Sequence, residues 1–314
     1  MGININKYIP LSTHVSYIST STNIGIIAFP CGKTVKIYLI DSGNDDAQAQ
    51  DILNLLSKHY ESYTIEAVLN THSHADHCGG NIYLREKTGC KIWSSKGEAA
   101  LMAHPEIETG LIWGGTPVHE IRSDYLMAKA CDADRIFKGE EEFTITEDGT
   151  PIRISVVNLS GHYLDQTGFI VTDTDGKKSF FMGDAISGRN VIRRYWIQYL
   201  LDEPRTKESL LKIAETQADF YIPGHGQSVK EIEGLAELNL IAIIETEDMI
   251  IDELSCPKTT EEILKSVADR SSITLHLANY VLIGSTLKSY LSGLYEAGKI
   301  TYFIEGNRLL WKKI

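Results

Sequence analysis

The sequence predicts a layered α/β protein that ends in a small unit of helices and a hairpin. Three observations carry this expectation. Apolar β-type runs alternate with a helix-like segment through the first 226 residues. Three histidines and an aspartate crowd the end of one such run. The pattern then breaks at Ser255-Cys256-Pro257-Lys258.

Residues 24–40 and 65–94 are rich in β-branched and aromatic residues and read as strand-forming, with 47–59 between them at helical spacing. A similar alternation returns over 152–226. The segment 96–142 has a different texture, with Pro105, Gly110, the Trp113-Gly114-Gly115-Thr116-Pro117 turn and several aromatics. A long interruption of this kind is read as a substrate wall or lid, or equally as an edge cover or dimer contact. Residues 231–254 repeat Leu235, Leu238, Ile241 and Ile244 at helical spacing. After the break, Thr259 and Glu262 form a capping box for a helix over 261–268. A longer helix over 284–297 ends at Gly298, a left-handed cap. Residues 300–304 and 309–313, joined by Glu305-Gly306-Asn307-Arg308, read as a hairpin, which makes 255–314 winged-helix-like.

The chemistry is concentrated in Asn70-Thr71-His72-Ser73-His74-Ala75-Asp76-His77-Cys78-Gly79-Gly80, which follows the apolar run 65–69. Two histidines two apart on an extended turn converge on one cation, while an aspartate and a histidine a step further turn toward a second. Divalent metals such as zinc accept this mixture of nitrogen and oxygen. Three more candidates stand where β-type runs give way to glycine: His162 in Ser160-Gly161-His162, Asp184 in Gly183-Asp184-Ala185, and His225 in Pro223-Gly224-His225-Gly226. Loops at strand ends are where scaffolds present reactive groups, and glycine beside a ligand lets backbone and metal approach closely.

These four motifs, in this order and over roughly residues 24–227, resemble the metallo-β-lactamase-fold hydrolase superfamily. The resemblance implies an αββα sandwich with the metals at one edge, a catalytic domain over 1–254 and a winged-helix-like domain over 255–314. It implies two divalent metal ions, zinc first and iron or manganese as alternatives. His72, His74 and His162 would hold one; Asp76, His77 and His225 the other; Asp184 would bridge them. Asp41, in Asp41-Ser42-Gly43, resembles the family's early aspartate and would orient a ligating histidine. After His162 the chain departs from the family's frequent Thr-x-Gly-Ser and reads Tyr163-Leu164-Asp165-Gln166. Tyr163 is then a donor to a substrate oxyanion or a packing residue, and Asp165 a supporting partner of the ligands.

Hydrolysis by a metal-bound hydroxide follows from a dinuclear site, with Asp76 orienting it and taking its proton. The tail is similar to that of the β-lactamase-like protein 2 group, some of whose members cut single-stranded RNA, so an RNA phosphodiester is the first substrate expectation. A glyoxalase II-like thioesterase and a lactone or ester hydrolase are alternatives, and an iron-dependent oxidoreductase of the same fold is the reading outside hydrolysis.

Composition sets the surroundings. The 314 residues are 43% hydrophobic and 23% charged, ordinary for a globular chain. Residues 256–314 hold eight Lys/Arg and five Asp/Glu, which leaves 22 basic against 37 acidic residues in 1–255. An acidic body disfavours indiscriminate nucleic-acid binding, whereas the tail can touch phosphate. Five scattered cysteines without C-x-x-C spacing read as reduced thiols. No run reaches the ~18 apolar residues of a membrane span, the N-terminus lacks a secretory pattern, and Asn6 fails the acylation motif that would use Gly2. A cytoplasmic protein without a membrane partner is expected.

Overall fold

The structure is a computed structural model that describes residues 7–314. The expectations about signal and acylation motifs at the N-terminus fall on residues 1–6 and lie outside the described residues.

Two sheets face each other. The first has seven strands in sequential order: β1 (Lys7–Pro10), β2 (Val15–Ser19), β3 (Ile24–Cys31), β4 (Thr34–Ile40), β5 (Tyr63–Leu69), β6 (Lys91–Ser94) and β7 (Arg135–Ile136). Its early strands pair antiparallel and β4 to β7 pair parallel. The second sheet comprises β8 (Glu142–Glu147), β9 (Thr150–Asn158), β10 (Thr167–Thr172), β11 (Lys178–Phe181) and β12 (Phe220–Ile222), with only β11 and β12 parallel. β13 (Ile300–Glu305) and β14 (Arg308–Lys313) form the terminal hairpin. The helices are α1 (Asp46–His59), α2 (Ala75–Cys78), α3 (Asn81–Thr88), α4 (Lys96–Ala103), α5 (Glu106–Trp113), α6 (Arg189–Arg194), α7 (Glu203–Glu215), α8 (Glu233–Glu253), α9 (Thr260–Arg270) and α10 (Leu277–Glu296).

The period-2 alternation of the strands decides the layering. On β3 and β4, Ile27, Phe29, Tyr38 and Ile40 point inward and meet Ile152, Ile154, Phe169, Phe181 and Ile222 of the second sheet. Their neighbours Ile26, Ile37 and Leu39 point the other way and pack on Ala49, Ile52 and Leu56 of α1 and Leu84 of α3. The outer face of the second sheet, with Phe180 and Tyr221, is covered by Leu210 and Ile213 of α7 and Leu235 and Ile243 of α8. Helix, sheet, sheet, helix is the αββα order expected.

Local signals explain the element ends. Asp45 caps α1 by accepting from Gln48 N at 2.8 Å, and Asp202 caps α7 by accepting from Arg205 N. The Thr259–Glu262 capping box opens α9 as expected. Residues 81–88, read in the sequence as part of a β-type stretch, form α3 instead. Leu84 buries against α1, and Gly89 closes the helix at φ 75°. The segment 96–142 crosses from the first sheet to the second, supplies edge strand β7, and lays Ile112 of α5 against Val281 of α10. Among the described residues no helix is long and apolar enough to cross a membrane, and all five cysteines are unpaired.

Candidate metal centre

Five strands deliver the candidate residues from their C-terminal ends. Asp41 follows β4, the His72–His77 run follows β5, His162 follows β9, Asp184 follows β11 and His225 follows β12. β4 and β5 run parallel in the first sheet and β11 and β12 in the second, so within each sheet both loops leave at one edge, and the two donor groups bring those edges together. Cross-links hold the loops there: Thr167 N donates to Thr71 O, and Asn23 N donates to Gly224 O at 2.7 Å.

Two donor groups result. His72, His74 and His162 form one; Asp76, His77, Asp184 and His225 form the other, the ligand atoms of each lying within 4.8 Å of one another. In the first, His74 Nδ1 is 3.0 Å from both His72 Nε2 and His162 Nε2. In the second, Asp76 Oδ2 is 3.0 Å from His225 Nε2, and Asp184 places Oδ1 3.2 Å from His77 Nε2 and Oδ2 3.2 Å from His225 Nε2. Asp184 Oδ2 also lies 3.8 Å from His162 Nε2, so this carboxylate stands between the groups. Gly224 allows the approach, since a Cβ there would sit 2.1 Å from Asp184 Oδ1.

The far nitrogens define the protonation pattern. Thr71 Oγ1 donates to Asp41 Oδ2 at 2.9 Å and is free to accept from His72 Nδ1 at 3.1 Å. His77 Nδ1 donates to Asp41 Oδ2 at 2.8 Å, His162 Nδ1 to Tyr199 O at 2.9 Å, and His225 Nδ1 to Ser21 O at 2.6 Å. Each acceptor holds Nδ1 and turns Nε2 toward the cluster.

Electrostatics separates the groups. Burial and the neighbouring imidazoles push His72 and His162 below the ordinary histidine range and His74 down to about 3, so these rings are neutral. Burial also opposes protonation of His77, but Asp184, Asp76 and Asp41 raise it to about 10. His225 is raised in the same way by Asp184 and Asp76.

The donor set fits a pair of cations. His77 Nε2 and Asp184 Oδ1 are buried without a hydrogen-bond partner, and His74 Nδ1 shares its short contacts with two neutral imidazoles. The converging nitrogens and carboxylate oxygens need positive charge among them, which protons on His77 and His225 supply here and a metal ion would supply in their place. The side chains of His72 and His77 are closed off, whereas Asp76 is 33% and His225 25% exposed, so the centre opens on the Asp76–His225 side. Beneath His162 and Asp184 lies a cavity of about 30 Å³ bounded by Trp196, Tyr199 and Leu210, room for about one water.

Residues 20–225 match the family model described as Metallo-beta-lactamase superfamily. The chain belongs to the metallo-beta-lactamase superfamily of metal-dependent hydrolases. A hydroxyacylglutathione hydrolase from Hyphomonas neptunium is 39% identical over 171 residues; the chain spans about half of that relative's length, 53%, and the alignment covers 53% of this chain. A probable metallo-hydrolase, YflN, from Bacillus subtilis is 23% identical over 65% of this chain and 80% of its own length. The fold is shared with a beta-lactamase domain protein from Burkholderia ambifaria, with a TM-score of 0.74 at 17% identity over 98% of this chain and 94% of the other. A metallo-beta-lactamase family protein from Thermus thermophilus gives 0.69 at 16% identity, covering 98% and 97%.

Asp165 and Tyr163 both stand beside the ligand loops. Asp165 makes its bonds to the start of α4: Oδ2 accepts from Gly97 N at 2.8 Å, its carbonyl accepts from Ser95 Oγ, and its amide donates to Glu98. No hydrogen bond joins it to an imidazole among the described residues. Tyr163 is buried at 1%, its ring centroid 4.2 Å from that of His74, which is a packed position. Cys78 is buried and its thiol is pushed well up by burial, away from thiolate chemistry.

Sequence reasoning passed over Thr71, Glu98, Glu108 and the carbonyls of Tyr199 and Ser21. Glu98 accepts from Ser73 N and Ser73 Oγ at 2.9 and 2.8 Å, and burial raises its carboxyl to about 7 against those donors.

Proposed function

We propose that this chain is a dinuclear hydrolase of an acyl bond, a thioester in the first place, with Asp76 as its proton acceptor. The observation that carries the reading is the pair of donor groups meeting at Asp184. Zinc suits the three-imidazole group best, with iron or manganese as alternatives. His72, His74 and His162 would hold one ion, Asp76, His77 and His225 the other, and Asp184 both. Such a pair, when bound, lowers the pKa of a shared water and polarises the attacked carbonyl.

The residues do the rest. Asp76 Oδ2 is kept at the open side by His225 and by a 3.3 Å bond from Thr22 Oγ1, and receives the proton of the attacking water. Water oxygen bonds to the acyl carbon, the carbon–sulfur bond breaks, and the thiolate leaves with the proton that Asp76 accepted. Asp41 holds His77, and Tyr163 serves as a packed wall against His74.

The 39% identical relative supports a thioester over the RNA phosphodiester that the winged-helix-like tail suggested. The deciding experiment offers the zinc-loaded protein a 2-hydroxyacyl thioester of glutathione, a lactone and a labelled single-stranded RNA. Thiol release that disappears in Asp184→Asn supports the reading; metal-dependent RNA cleavage without thioester turnover overturns its substrate.

A further inference from the structure

We infer that Glu108 is the positioning residue of His74, and that the segment 96–142 is fastened to the metal centre through this contact. The inference rests on the reading of the two donor groups as a metal site. Four of the five imidazoles there follow one rule: Nε2 faces the cluster and Nδ1 faces a fixed acceptor, namely Thr71 Oγ1, Asp41 Oδ2, Tyr199 O or Ser21 O. His74 is turned the other way. Its Nδ1 is the atom 3.0 Å from His72 Nε2 and His162 Nε2, so a cation held by the three rings would take the Nδ1 lone pair and leave the proton on Nε2. The atom that Nε2 meets is Glu108 Oε1, at 3.6 Å.

Glu108 has no competing attachment. It lies on α5 with 6% of its surface exposed, and among the described residues His74 Nε2 is the one basic side-chain nitrogen within 4.0 Å of its carboxyl. A buried carboxyl without a partner is costly; the His74 N–H supplies one, and more strongly once a cation withdraws electron density through the ring. At 3.6 Å the pair is longer than a hydrogen bond. It is expected to shorten on metal binding, as contacts of this kind do when the site is completed.

The same segment grips the neighbouring residue as well, since Glu98 of α4 accepts from both the amide and the hydroxyl of Ser73. Two buried glutamates ten residues apart on 96–142 therefore clasp Ser73 and His74 in sequence. That makes the segment a fixed part of the ligand cage, and coupling runs both ways: whatever orders α5 tightens the metal, and metal orders α5.

The test compares full-length wild type, Glu108→Gln and Glu108→Leu by zinc competition with a chromophoric chelator, by imidazole nitrogen NMR of the zinc-loaded proteins, and by hydrogen exchange over 106–113. Glu108→Leu keeps the volume and removes the acceptor; its tighter zinc affinity should fall about 10–100-fold, with loss of the His74 Nε2–H signal. Glu108→Gln retains an acceptor oxygen and should stay within a few-fold of wild type. In wild type, removing zinc should accelerate exchange over 106–113. Unchanged affinity and an unchanged His74 signal in Glu108→Leu overturn the inference, and so does wild-type exchange over 106–113 that ignores zinc if the variant does not fold. A wild type that binds no zinc overturns the site reading beneath it.

Discussion

His77 donates from Nδ1 to Asp41 Oδ2 at 2.8 Å, and Asp41 also accepts from the amide and hydroxyl of Thr71, at 2.7 and 2.9 Å. Three donors thus hold one buried carboxylate, whose backbone stands at φ 64°, a conformation that non-glycine residues seldom adopt. Asp41→Ala releases the far side of His77 and takes the acceptor from the Thr71 amide and hydroxyl. Zinc affinity of the group containing Asp76, His77 and His225 should fall about 10–100-fold, measured by chelator competition.

The proposed mechanism gives the proton-transfer role to Asp76. Asp76→Asn keeps the size of the side chain but removes its basicity, and kcat should drop about 10²–10⁴-fold. Circular dichroism should show the fold retained. A variant within a few-fold of wild type would remove Asp76 from that role.

Much of this centre was legible from residue order alone. HxHxDH, Gly-His, Gly-Asp and Gly-His sit at the ends of apolar runs, and glycine next to a polar residue there marks close packing, as Gly224 against Asp184 illustrates. The partners of the far nitrogens were less legible. Tyr199 and Ser21 act through carbonyls that every residue possesses, so nothing in their side chains signals the role. Glu98 and Glu108 carry side chains that ordinarily face solvent, and only the fold buries them. α3 was missed because a stretch holding Ile82, Tyr83 and Leu84 has no spacing that separates helix from strand.

The tail is part of the core. Leu287, Tyr290, Leu291 and Leu294 of α10 share one apolar cluster with Phe180 and Leu210, and Ser289 Oγ bonds Leu201 O at 2.7 Å. Deleting 256–314 should therefore give insoluble protein rather than a selective rise in KM. Leu291→Ala, at a fully buried position, should cost about 2–5 kcal/mol, read by denaturant unfolding.

Acid stability has a separate origin. Asp173 accepts from Ser12 Oγ and His14 Nδ1 at 2.6 Å and from His14 N at 2.8 Å. Burial works against its ionisation, yet these donors bring the carboxyl down to about 2. Because the folded value lies below the ordinary one of about 3.9, the stabilisation is complete above that pH and is lost as pH falls toward 2. Asp173→Ala should cost about 1–3 kcal/mol at neutral pH and show a melting temperature less dependent on pH between these limits.

The proposed acyl transfer to water requires two metal ions held across Asp184. Titrating zinc into metal-free protein while recording thiol release from a hydroxyacylglutathione thioester tests it directly. Turnover should be absent at zero zinc, rise to saturation at two equivalents per chain, and fail to rise in Asp184→Asn. Turnover by metal-free protein, or an Asp184→Asn variant as active as wild type, would contradict it.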